Sequence, residues 1–172
     1  MLDILTAEIQ KEAMIKVLFV CLGNICRSPA AEGLMRKHID EAGLSGKILV
    51  ESAGTSGWHV GDLPDPRMRE AALRHGVILD TRAREFRAED LSTFDYIIAM
   101  DRQNERDILA LVPTGTTPHA WVQLMRSYDQ EEKADDVPDP YFGGKHGFEQ
   151  VYHMLNRCTK VFFDAIKETH GL

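Results

Sequence analysis

Apolar residues follow two rhythms along this chain. Short runs rich in Val, Ile and Phe stop at polar or glycine-containing turns, and longer stretches place an apolar residue at every third or fourth position. The first rhythm predicts buried strands and the second predicts helices with one apolar face. Strands are predicted at 15–21 (IKVLFVC), 47–53 (KILVESA) and 94–100 (FDYIIAM), with a weaker fourth at 117–123. Ser28 followed by Pro29 predicts a helix start, with the serine as N-cap and the proline at the first helical position. That helix continues from Ala30 to Glu41 and stops at Gly43. Further helices are predicted over 67–75, closed by Gly76, and over 101–111. In the last segment Phe148, Val151, Leu155, Cys158, Phe162 and Ile166 form one apolar stripe, which predicts a helix docked on the sheet. The stretches 54–66 and 129–147 carry the Pro and Gly of loops, and the second is acidic.

Strands alternating with helices imply an α/β fold, a parallel sheet with helices on both faces. At 172 residues the chain is expected to form one domain. Residues 1–13 are expected to be an N-terminal extension and 14–172 the domain, with Met14 an alternative start. In the extension Leu2, Leu5 and Ile9 have a loosely helical spacing, and no basic segment of a signal peptide precedes them. A net charge of −7 argues against nucleic acid and anionic membrane as partners. No apolar run approaches the roughly 18 residues of a membrane span. Three cysteines, Cys21, Cys26 and Cys158, do not make a disulfide framework, so a cytoplasmic location is expected.

The candidate chemistry lies in VCLGNICRSPA, residues 20–30. The first strand ends at Cys21, a tight turn follows, and Arg27 stands where a helix begins. In parallel α/β sheets, ligands bind at such carboxyl ends of strands. Turn amides and the unsatisfied N–H groups of a helix start make a cradle for an anion. Gly23 is expected to permit a positive φ in this turn. Arg27 offers a planar fork that suits two phosphate oxygens. The same field favours thiolate over thiol at Cys21. A nucleophile at the bottom of a bowl for three oxygens points to attack on phosphorus. The leaving oxygen then needs a proton, and Asp139, stiffened between Pro138 and Pro140, is the candidate acid. Tyr141 and Phe142 follow it and suit the walls of a slot for a phenyl ring.

With VCLGNICRSP near the N-terminus, SAGT at 52–55, FDYIIAMD at 94–101 and DPY at 139–141, the chain resembles the low-molecular-weight protein tyrosine phosphatases from about residue 14 onward. The resemblance implies a four-stranded parallel sheet in a single domain, and hydrolysis of phosphotyrosine in proteins and of small aryl phosphates, releasing inorganic phosphate. It implies a phosphocysteine intermediate on Cys21, with Arg27 clamping the phosphoryl oxygens and Asp139 as acid, then base. Leu22, Gly23, Asn24, Ile25, Cys26 and Ser28 would form the phosphate-binding loop. Ser28 would donate to the Cys21 sulfur, and Asn24 would hold the loop with Ser52 as partner. Cys26 would pair with Cys21 on oxidation. No metal or other cofactor is expected, since amides and Arg27 neutralise the charge.

Two positions depart from the family pattern. Thr81 precedes Arg82-Ala83-Arg84 where a histidine is common, and Phe142 stands where a second tyrosine is common. His75, before Gly76, is expected to serve as a partner of the helix C-terminus. Trp58 is expected either to line the mouth of the site or to pack on its own loop. Asp101 is expected to orient polar groups near the phosphate loop or to cap a helix, and Cys158 to lie in the core. The seven histidines show no ligand spacing. Activity is expected to peak on the acid side of neutral, where a protonated Asp139 and a Cys21 thiolate coexist. An arsenate reductase of the same fold would need redox cysteines after the third strand, and residues 100–115 hold none. A non-catalytic phosphotyrosine-binding module would not need the nucleophile, clamp and acid together.

Overall fold

The computed structural model describes residues 13–172, and the helical spacing noted for the N-terminal extension lies outside the described residues. Strand β1 is Ile15–Cys21, followed by helix α1 (Arg27–Glu41), strand β2 (Ile48–Gly54) and helix α2 (Pro66–Arg74). A short helix α3 (Asp90–Thr93) leads into strand β3 (Tyr96–Ala99), helix α4 (Arg102–Leu109) and strand β4 (Trp121–Leu124). A 3-10 turn, Met125–Tyr128, and the long helix α5 (Lys145–His170) complete the chain. The four strands are parallel in the order β2-β1-β3-β4.

The central β1 shows the alternation that a buried strand requires. Val17, Phe19 and Cys21 face one apolar cluster with Leu34 and Met35 of α1 and Phe148, Leu155 and Phe162 of α5. Leu18 and Val20 face the other cluster, with Leu91 of α3, Ile97 of β3 and Ile108 of α4. Helices therefore cover both faces of the sheet, and Cys21 ends the central strand on the α1/α5 side. Cys158 is fully buried among the apolar residues of α5. Burial, reinforced by the charge of Asp129, pushes its thiol up to about 11.

One expected helix start is corrected. Helix α1 begins at Arg27, its N-cap is Cys26, and no side chain caps it. Ser28 lies inside the first turn because its hydroxyl is committed elsewhere, 3.0 Å from the Cys21 sulfur. The fourth strand is also shorter and later than its apolar pattern suggested. β4 is an edge strand, with Trp121 exposed on it, so its pattern is diluted by solvent-facing residues.

Candidate active site

Residues 21–27 wrap from the end of β1 to the start of α1, and the surrounding loop fixes which way their peptides face. The carbonyls of Cys21, Leu22 and Ile25 accept from the amides of Thr55 (2.9 Å), Ser56 (2.9 Å) and Asp65 (2.8 Å). In a trans peptide the next N–H points opposite to the carbonyl. The amides of Leu22, Gly23 and Cys26 are thereby turned toward the concave side of the turn. Gly54 makes this packing fit, since a Cβ there would lie 2.8 Å from the Leu22 carbonyl oxygen and 3.1 Å from the Asn24 nitrogen.

The left-handed residue of the turn is Asn24, with φ at 56°, and not Gly23 as expected. Asparagine tolerates this conformation when its side chain is bonded locally. Here its Nδ2 donates to Ser28 Oγ (2.8 Å) and Ser52 Oγ (2.9 Å), and its Oδ1 accepts from the Arg84 amide (3.0 Å). Gly23 serves closeness instead, because a Cβ there would lie 3.1 Å from the His59 ring. The Cys21 sulfur faces the Asn24 amide at 3.3 Å and the Ser28 hydroxyl at 3.0 Å.

Arg27 is almost wholly buried. Its Nη1 donates to Asp101 Oδ2 at 2.7 Å and to the Val137 carbonyl at 3.1 Å, and its Nη2 meets Asp139 Oδ2 at 3.3 Å. Burial opposes its charge, but Cys21, Asp101 and Asp139 outweigh burial and hold its pKa above the ordinary value. Asp101 fills both expected roles at once. One oxygen holds Arg27 while the other accepts from the Asn104 amide as the N-cap of α4. Asp139 accepts the Tyr141 amide at 3.1 Å, which leaves its carboxylate half-exposed over the turn. Cys21, Arg27 and Asp139 thus meet in one cavity of about 260 Å³, although 112 residues separate Arg27 from Asp139.

The family described as low molecular weight phosphotyrosine protein phosphatase matches residues 16–171. The chain belongs to that family. A Synechocystis sp. protein assigned to the low molecular weight protein-tyrosine-phosphatases is 52% identical over 154 residues, covering 89% of this chain and 98% of the relative. The human low molecular weight phosphotyrosine protein phosphatase is 41% identical, covering 90% of this chain and 97% of the relative. A solved protein tyrosine phosphatase from Entamoeba histolytica superposes with a TM-score of 0.83 at 39% identity, covering 91% of this chain and 98% of that one.

The rim of this phosphatase pocket is aromatic. Trp58, His59, Tyr141 and Phe142 line it together with Leu22 and Ile25 of the turn. Trp58 is 78% exposed and Phe142 is 94% exposed, so both present their rings to whatever enters. Trp58 therefore stands at the mouth. Asn24, Ser28, Ser52 and Asp101 do not line the cavity; they stand behind the sulfur and the guanidinium.

Several supporting residues escaped the sequence reading. Glu32 of α1 is buried and takes hydrogen bonds from Ser52 (2.5 Å), Thr81 (3.1 Å) and Arg36 (2.6 Å). Thr81, standing where the family commonly has histidine, thus reaches the Asn24 network through Glu32 and Ser52. Arg126 donates to the Asp136 carbonyl at 2.9 Å, and the Val137 amide donates to Met100 at 2.8 Å, so the Asp139 loop is tied down on its approach. Arg67 donates to the Tyr141 carbonyl at 3.0 Å and stacks on the Phe148 ring. Burial, and then the negative groups of Asp65, Cys21 and Asp139, push the Cys26 thiol far up despite Arg27. Cys21 and Cys26 are both free thiols here.

Proposed function

We propose that this phosphatase hydrolyses phosphotyrosine in proteins, and small aryl phosphates, through a phosphocysteine on Cys21. The observation that carries the reading is the convergence of the Cys21 sulfur, the Arg27 guanidinium and the Asp139 carboxyl on one aromatic-rimmed cavity. In the first step the Cys21 thiolate attacks phosphorus, the bond to the phenolic oxygen breaks, and Asp139 gives that oxygen a proton. In the second step Asp139 takes a proton from water, which attacks phosphorus and expels the thiolate, releasing inorganic phosphate. Turn amides and Arg27 stabilise the equatorial oxygens throughout. Ser28, 3.0 Å from the sulfur, donates to the departing thiolate. The 3.3 Å contact joins Asp139 to Arg27, and phosphate oxygens would compete for that same Nη2.

The aromatic rim suits a phenyl ring and favours phosphotyrosine over phosphoserine, whose short side chain leaves its ester oxygen away from Asp139. Residues 14–172 form the catalytic unit in this reading. The acidic net charge argues against nucleic acid as a partner, and three free thiols suit a reducing cytoplasm. Among the described residues no helix is long and apolar enough to cross a membrane.

A peptide panel tests the assignment. Phosphotyrosine peptides should turn over at least about a hundredfold faster than phosphoserine peptides, a difference of about 2.7 kcal/mol in the barrier. Cys21→Ser should abolish turnover while keeping phosphate affinity. Asp139→Asn should slow hydrolysis most for poor leaving groups. Equal rates on both peptides, or a fully active Asp139→Asn protein, would refute it.

A further inference from the structure

A second cluster of side chains lies outside the pocket and takes no part in the chemistry above. His75 is the C-cap of α2, and Glu149 and His153 stand four residues apart on α5, hence on one face of that helix. Glu149 Oε2 lies 3.2 Å from His75 Nε2 and 3.4 Å from His153 Nε2. All three ligand atoms fall within 4.8 Å of one another.

Their surroundings hold them in place. Arg74 Nε takes the other Glu149 oxygen at 2.7 Å, which leaves Oε2 to the two imidazoles. The Arg74 charge is itself shared with Glu70 at 3.1 Å, and Glu70 also meets Lys145 at 3.7 Å. The His75 ring stacks on Tyr152, with centroids 4.6 Å apart and planes 9° apart. The His153 ring meets His75 edge-on at 5.0 Å.

Two imidazole nitrogens and one carboxylate oxygen are a zinc donor set that keeps a fourth position for water. Bonds of about 2.1 Å in a tetrahedron put donors about 3.4 Å apart, close to both His–Glu separations here. The remaining His–His separation closes by rotation of His153, the most exposed of the three. We propose that His75, Glu149 and His153 bind a Zn²⁺ ion that clasps the C-terminal end of α2 to the first turns of α5. None of the three lines the catalytic cavity. The ion joins the helix that follows the Trp58 loop to the helix that follows the Asp139 loop, so its effect is on stability.

The test is titration calorimetry of Zn²⁺ into metal-stripped protein in a Cys21→Ser background, which removes the active-site thiolate as a rival ligand. One ion should bind per chain. His75→Ala and His153→Ala should each weaken binding by about tenfold or more. Zinc should raise the Tm of the background protein and leave that of the His153→Ala protein unmoved. Affinity unchanged in both histidine variants, or no one-to-one binding in the background protein, would overturn the site. In metal-free buffer His153→Ala on the parent chain should keep full aryl phosphate turnover. A collapse of that turnover would overturn the separation from the catalytic machinery.

Discussion

Arg27 Nη1 and Asp101 Oδ2 are joined at 2.7 Å, with the guanidinium side chain 3% exposed. Asp101 is fixed in turn by its bond to the Asn104 amide at 2.7 Å. A cap of α4 therefore aims the Arg27 guanidinium, the proposed phosphate clamp. Asp101→Asn keeps the cap but gives up the ion pair, so it should fold and lower kcat/KM by about tenfold to a hundredfold. Asp101→Ala loses both and should also cost about 1 kcal/mol of stability. Steady-state kinetics beside urea unfolding separates the two effects, and equal kinetics in Asp101→Asn and parent would exclude the clamp role.

Asn24 carries both the backbone turn and the polar network behind the sulfur. Asn24→Ala places an alanine at a φ of 56°, removes the bond that Ser52 accepts while leaving its bond to Glu32, and unpairs the Arg84 amide. It should lose about 1–3 kcal/mol and most activity. Asn24→Gly accepts the turn without strain, so it should be the more stable variant and still be slow. A fully active Asn24→Gly protein would show that the amide contacts are dispensable.

Gly54 is the platform under the turn. The added methyl of Gly54→Ala would press on the Leu22 carbonyl at 2.8 Å, where only backbone can give way. The expected result is a loss of about 1–3 kcal/mol with weakened phosphate affinity, read by thermal unfolding and by product inhibition. Unchanged phosphate inhibition would contradict it.

The Asp139 loop begins at a buried charge node. Asp129 binds Arg157 through Nε and Nη2, both at 2.9 Å, and Arg126 at 2.9 Å. Arg157 holds the Asp129 carboxyl down at about 2, against about 3.9 in an unfolded chain. A folded pKa below the unfolded one contributes stability above the unfolded value, and that stability is lost as pH falls through the folded value. The pair should therefore contribute on the order of 2 kcal/mol at neutral pH, declining between about pH 5 and pH 2. Asp129→Asn should be less stable at neutral pH and lose less on acidification. Parallel stability–pH curves for parent and variant would exclude that linkage.

What was legible in the sequence was local. Ile15–Cys21 was bounded correctly because a buried strand is apolar at nearly every position and ends at a turn. Cys21, Arg27 and Asp139 were legible as candidates because each sits in a short motif, and the fold brings all three to one cavity. Residues that act across the fold were not. Glu32 meets Thr81 49 residues away, and Asn24 meets the Arg84 amide 60 residues away. The start of α1 was misplaced because Ser28 has the chemistry of a cap, and only the folded turn shows its hydroxyl on sulfur. The histidines showed no ligand spacing because His75 and Glu149 stand 74 residues apart and meet only where α2 packs on α5.

The most direct measurement is a rapid acid quench of the parent protein turning over an aryl phosphate, followed by peptide mapping of the bound phosphoryl group. The account predicts a phosphoryl group on the Cys21 sulfur, absent from the Cys21→Ser protein. A phosphoryl group on any other residue, or burst kinetics with none on Cys21, would contradict it.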